Sequence, residues 1–151
     1  MKYTLFLLVL FFFATSCKKD SNSSTSKTDQ ITSADWKYDN GGIGDANGNI
    51  IINFSTIGTI PTCSLDNTIH FSSNGTGSVS EGANVCSGAP ATTSFTWNFS
   101  SNETVLNLSG GAVAGIGGSF KIKTLSSTQL SLLKDTTYMG SSATVIVDLK
   151  H

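Results

Sequence analysis

The sequence predicts an all-β fold: a single eight-stranded antiparallel up-and-down barrel. Three observations carry this. The chain is rich in Ser, Thr, Asn and Gly, which favour turns and disfavour helices. From Trp36 onward its apolar residues recur with period two. Turn signals separate the alternating runs at short intervals, so neighbours in sequence become antiparallel neighbours in space. A meander with one apolar face loses its exposed edges by closing into a barrel.

The strands follow in order. A short one holds Trp36 and Tyr38, and weaker ones are expected at 49–55, "NIIINFS", and 76–80, "TGSVS". "TIHFS" places Ile69 and Phe71 on one face and His70 on the other. "SFTWNFS" gathers Phe95, Trp97 and Phe99, and "VLNLS" pairs Leu106 with Leu108. "SFKIKT" turns Phe120 and Ile122 inward and Lys121 and Lys123 outward. "QLSLL" pairs Leu130 with Leu132, and "TVIVDLK" aligns Val145, Val147 and Leu149. Between them, Asn74-Gly75 is a strong hairpin signal. "SSNE" and "LSSTQ" join later pairs, and "GGAVAGIGG" (110–118) reads as a flexible hairpin loop.

Upstream of the domain the chain changes character. Lys2, the unbroken apolar run Leu5–Phe13 and the small residues Ala14, Thr15 and Ser16 form the three parts of an export signal over residues 1–16. Nine apolar residues rise only about 14 Å as a helix, too little to cross a bilayer core of about 30 Å. Cys17 follows at once. The stretch resembles a bacterial lipoprotein signal, in which the Cys after a small residue becomes the lipidated first residue. Ala14 stands where such signals usually carry Leu or another aliphatic residue. Acyl chains such as palmitate on Cys17 would contribute about 0.8 kcal/mol per buried CH₂, and two or more chains together hold firmly. Residues 17–34 are then the lipidated Cys and a flexible tether, since 18–34 contain one large apolar residue, Ile31. The barrel domain is expected over 35–151. The expected location is the bacterial cell envelope, lipid-anchored at the outer membrane, with the periplasmic or surface face left open.

Two cysteines remain. Cys63 and Cys86 flank the hairpin of residues 67–80 in an exported chain, which predicts a disulfide. Closing a loop of that length stabilises by about 3 to 3.5 kcal/mol on the chain-entropy model. A metal site is disfavoured because no His or third Cys is spaced to complete one. Asp45, Asn47 and Asn49 open like a calcium loop, but Ile50 and Thr56 stand where Gly and Glu are needed, so a polar loop is the better reading. The glycines at 110–118 lack the Lys-Ser/Thr end of a phosphate loop.

Composition excludes some classes. Nine Lys are scattered along the chain against ten acidic residues, and there is no Arg. That pattern argues against a nucleic-acid partner. His70 and His151 are the two histidines, neither set in an acid–nucleophile pattern, and there is no Gly-x-Ser-x-Gly elbow. No enzyme activity and no cofactor are expected, and the chain is expected to be a monomer.

Trp36, then "CSLDNTIHFSSNGTGSVSEGANVC", "FTWNFSSNETVLNL" and "FKIKTLSSTQLSLL" together resemble the bacterial lipocalin-like lipoproteins. The order is Cys, a strand, an Asn-Gly hairpin, a second Cys, a Trp strand and a Leu-rich strand pair. The match covers essentially the whole mature domain; Ala34-Asp35-Trp36 replaces the Gly-x-Trp of classical lipocalins. The resemblance implies the eight-stranded barrel, a Trp36 plug at one end, and a small hydrophobic ligand in the interior. Phe71, Phe95, Trp97, Phe99 and Phe120 are the ligand-binding residues expected, with Gly77 and Gly118 leaving room near one end. The alternative is a filled barrel in a structural or interaction lipoprotein that contacts another protein or a glycan.

Overall fold

The computed structural model describes residues 25–113 and 115–151. The expected signal at 1–16, Cys17 and the first part of the tether lie outside the described residues.

Nine antiparallel strands form one sheet: β1 (Trp36–Gly44), β2 (Ile50–Asn53), β3 (Thr68–Phe71), β4 (Thr76–Ser80), β5 (Thr92–Ser100), β6 (Val105–Val113), β7 (Ile116–Leu125), β8 (Gln129–Tyr138) and β9 (Ser141–Lys150). From β3 to β9 each strand pairs with the next. β9 pairs along β1, with Lys37 opposite Lys150 and Ile43 opposite Val145. β1 also pairs with β3 through Trp36–Ile69 and Lys37–Thr68. This closes an eight-stranded up-and-down barrel, as the alternation predicts. β2 is additional: it pairs with the far half of β1, Ile43 opposite Ile52.

One side chain in two points inward. Ile69, Phe71, Phe95, Trp97, Leu106, Leu108, Phe120, Leu130, Leu132, Val147 and Leu149 are all buried in one cluster. Between them His70, Thr96 and Lys121 face solvent, while Ser131 is buried and donates to Asp148 Oδ1; the Asn74-Gly75 turn forms as predicted, with Gly75 at φ +84° and Ser72 N–H donating to Thr76 O at 2.8 Å.

Three expectations are corrected. The first concerns the tether. Lys27–Thr32 is a helix, α1, with Ser26 as N-cap and a capping box to Asp29. Its Ile31 is fully buried, and Trp36 Nε1 donates to Ile31 O. One capped turn and one Ile suffice because the barrel supplies the apolar surface that the segment lacks. Among the described residues the folded unit therefore reaches back at least to Ser26, ahead of 35.

Second, the glycine-rich stretch 110–118 is not a loop. β6 runs to Val113 and β7 starts at Ile116, with a register shift between Leu108 and Val113. A Cβ on Gly117 would strike the Gly110 carbonyl. The glycines let two backbones approach at an irregular ladder, which is the strand role of Gly.

Third, "NIIINFS" is strand only to Asn53. Phe54–Ile57 forms a single helical turn, α2, closed by Gly58 at φ +63°. Phe54 belongs to the barrel core.

The two barrel ends differ. At one end lie the start of β1, the β3–β4, β5–β6 and β7–β8 turns and the chain terminus. Helix α1 crosses it, with Lys27 Nζ donating to Glu103 O, and the His151 ring lies 3.8 Å from that of Trp36. Trp36, with no exposed surface, plugs this end, the position the resemblance implies. The other end, the mouth, carries the β1–β2, β6–β7 and β8–β9 hairpins and the long segments 54–67 and 81–91.

Candidate functional site at the barrel mouth

The free space inside the barrel sits at the mouth. A cavity of about 200 Å³ is walled by Tyr38, Ile69, Val79, Ala112 and Leu149. Ile60 and Ser64, on the segment between α2 and β3, roof it with Gly111 and Gly115 of the β6–β7 hairpin. Ile60 is itself buried, so the roof is packed into the core.

The expected ligand residues lie elsewhere. Phe71, Phe95, Trp97 and Phe99 form an edge-to-face chain, with ring centroids 5.4 Å (Phe71–Phe95), 5.6 Å (Phe71–Trp97) and 5.4 Å (Trp97–Phe99) apart. Trp97 Nε1 donates to Ser72 O at 3.1 Å and Thr76 O at 3.0 Å. Phe120 is fully buried, opposite Leu106. None of the five borders the mouth cavity. Their face is the inward one, as predicted, but they fill the space between themselves. The room expected at Gly77 is occupied: a Cβ there would strike the Phe95 ring. At Gly118 the Lys134 ammonium lies within 3.0 Å of where a Cβ would be.

Polar groups are concentrated at the mouth. Glu81 lines the cavity, with its carboxylate accepting from Asn67 Nδ2 and the Cys86 backbone N–H, both at 2.9 Å. Gly82 N–H in turn donates to Asn67 Oδ1. The Cys63–Cys86 disulfide joins this network to the roof, with Cα atoms 5.2 Å apart. It ties the two longest mouth segments together, as the spacing of the cysteines predicts. Asp66 Oδ2 accepts from both nitrogens of Asn84, while its Oδ1 is buried without a partner among the described residues.

Tyr38 brings a hydroxyl to the cavity wall. Burial raises it above the usual phenol range, and the negative charges of Asp148 and Asp39 add to that. It stays protonated at neutral pH and can donate a hydrogen bond inward.

Lys134 was not picked out in the sequence, although its signal is present. It continues the phase of Leu130 and Leu132, and it pairs opposite the inward Val145. Its ammonium donates to Gly117 O at 2.6 Å and lies 5.6 Å from the Phe120 ring centroid. It fastens the β6–β7 hairpin, part of the cavity roof, to the barrel wall.

Outside the barrel, the Asp45 carboxylate is held in position by its own loop and stays partly exposed. It accepts from Asn47 N, Asn49 N and Asn49 Nδ2 at 2.9 to 3.0 Å. This is a capped polar turn, as the missing Gly and Glu predict. His70 Nδ1 is 2.7 Å from Asp35 Oδ1 on the exposed wall at the closed end. Among the described residues no three of His, Cys, Asp and Glu group as metal ligands.

No family model matches this chain, and no curated protein matches it in sequence.

Proposed function

We propose that this protein is a membrane-tethered, lipocalin-like lipoprotein without enzymatic activity that binds a small, largely hydrophobic molecule at the mouth of its barrel. The observation that carries the ligand is the mouth cavity of about 200 Å³, where Ile60, Ile69, Val79, Ala112 and Leu149 give apolar surface and Tyr38, Asn67, Glu81 and Thr93 bring polar groups. That volume is below the roughly 300 Å³ at which drug-sized pockets begin. The ligand class is therefore a compact molecule with one polar end, and not a long acyl chain.

The tether is supported by the segment anatomy of residues 1–17: a short apolar run, small residues, then Cys17. Fractionation of cells carrying Cys17→Ser tests it. The variant should leave the membrane fraction without detergent, and unchanged membrane association would refute the anchor.

The ligand is tested by calorimetry of the mature protein against small phenols and cyclic alcohols. Stoichiometric, saturable binding is expected, weakened by Tyr38→Phe and lost when Ala112→Leu fills the cavity. A second reading, an interaction lipoprotein with a filled barrel, is favoured by the edge-to-face packing of Phe71, Phe95, Trp97 and Phe99. Absence of saturable binding across the panel would leave that second reading as the account.

A further inference from the structure

The exposed large hydrophobic residues of the described chain are Ile51, Ile57, Leu65, Val85 and Met139. All five stand on mouth segments: Ile51 on β2, Ile57 on α2, Leu65 and Val85 beside the disulfide cysteines, and Met139 at the tip of the β8–β9 hairpin. The walls and the closed end carry none of them. Isolated exposed apolar residues need no explanation, but their restriction to one end of the barrel directs attention to that end.

The surface has a groove. Ile43, Ile51, Ile52 and Tyr138 line a cleft of about 320 Å³ together with Asp45 and Ala46. Met139, 89% exposed, follows Tyr138 directly. Asp45 is the one charged residue lining this groove. Segments 45–67, 81–91 and 138–141 contain Asp45, Asp66 and Glu81 and neither Lys nor Arg. The cation reaching the β1–β2 loop from the wall, Lys123, is bonded to Gly48 O at 2.9 Å.

The course of the chain says which way the groove faces. The described residues begin at the closed end, where Ser26 caps α1. The eight chain steps from Cys17 to Thr25 span at most about 29 Å. This orientation rests on the proposed anchor: the closed end is held near the membrane and the mouth points away from it. An occupant in the aqueous space suits that geometry better than the bilayer to which the chain is attached. Anionic headgroups would also meet Asp45 in the groove.

We propose that the groove between the β1–β2 and β8–β9 hairpins docks a protein segment in which an apolar side chain enters between Ile51 and Tyr138 and a neighbouring Lys or Arg pairs with Asp45. The Asp45 carboxylate is preorganised for this, since three N–H donors already hold it in place.

The test places the full mature protein, through its own lipid, in zwitterionic nanodiscs. Fluorescence anisotropy then follows a labelled alternating Leu-Lys peptide and a Leu-Glu peptide of equal length. Saturable binding of the Leu-Lys peptide is expected, at least tenfold weaker for Ile51→Lys and for Met139→Lys. Both positions are largely exposed, so the variants keep the fold. Equal binding of the Leu-Glu peptide, or undiminished binding by both variants, would overturn the proposal. So would capture of peptide-free anionic vesicles that those variants abolish, which would make the groove a membrane contact. Failure to enter the discs refutes the anchor alone, and the peptide measurement is then made in solution.

Discussion

The indole of Trp36 donates its Nε1 hydrogen to the carbonyl oxygen of Ile31 at 2.8 Å. Both residues have no exposed surface. This contact joins a six-residue helix to the plug of the barrel. A helix so short is unstable alone, because nucleation is costly. It persists here through its cap and through the burial of one side chain.

Ile31→Ala should therefore cost about 2 to 5 kcal/mol, the range for a large aliphatic residue truncated in a core. Denaturant unfolding of the mature protein measures it. A loss below about 0.5 kcal/mol would show that α1 is dispensable and that the domain starts where the alternation starts.

Phe71 touches both Phe95 and Trp97 edge-to-face. Phe71→Ala should cost about 3 to 5 kcal/mol and shift Trp97 emission to the red as water enters. A near-neutral change would mean that this half of the barrel has room to spare, returning the aromatic cluster to the ligand site expected from the sequence.

The Cys63–Cys86 bridge should leave no free thiol among these two residues in denatured, unreduced mature protein. Replacing both by Ser should lower stability by about 3 kcal/mol. It should also loosen mouth-ligand binding, because Ser64 of the roof and Glu81 of the wall sit on the two segments that the bridge joins. Unchanged proteolysis of the 54–67 and 81–91 segments in the double variant would contradict the proposed clamping role.

The Tyr38 hydroxyl is raised above its ordinary value by burial first and by Asp148 and Asp39 next. A raised folded-state value stabilises fully below the unfolded value of about 10. That stability is lost as pH climbs through the folded value. Unfolding free energy should therefore decline on the alkaline side, and Tyr38→Phe should remove that part of the slope. An identical alkaline profile in the variant would show that the hydroxyl is not buried.

The all-β class, the inward faces of β3 and β5–β9, the Asn74-Gly75 turn and the cysteine pair are legible along the chain. These are local properties, set by period-two alternation, by turn chemistry and by spacing along the chain. Lys134 is equally legible, in phase with Leu130 and Leu132 on a strand that continues to Tyr138. Where volume is filled and where it is left is set by packing in three dimensions. Phe71, Phe95, Trp97, Phe99 and Phe120 were recognisable as inward, yet whether inward residues enclose a ligand or one another depends on packing across the barrel. Gly77 opens a space, and the Phe95 ring from the neighbouring strand takes it. Ile31, solitary in a polar stretch, is buried because the barrel end lacks a cover. Phe54 and Ile60, on a segment with no regular period, likewise enter the core at the mouth. In each case the apolar partners come from strands distant in sequence, and a pattern read along the chain does not contain them.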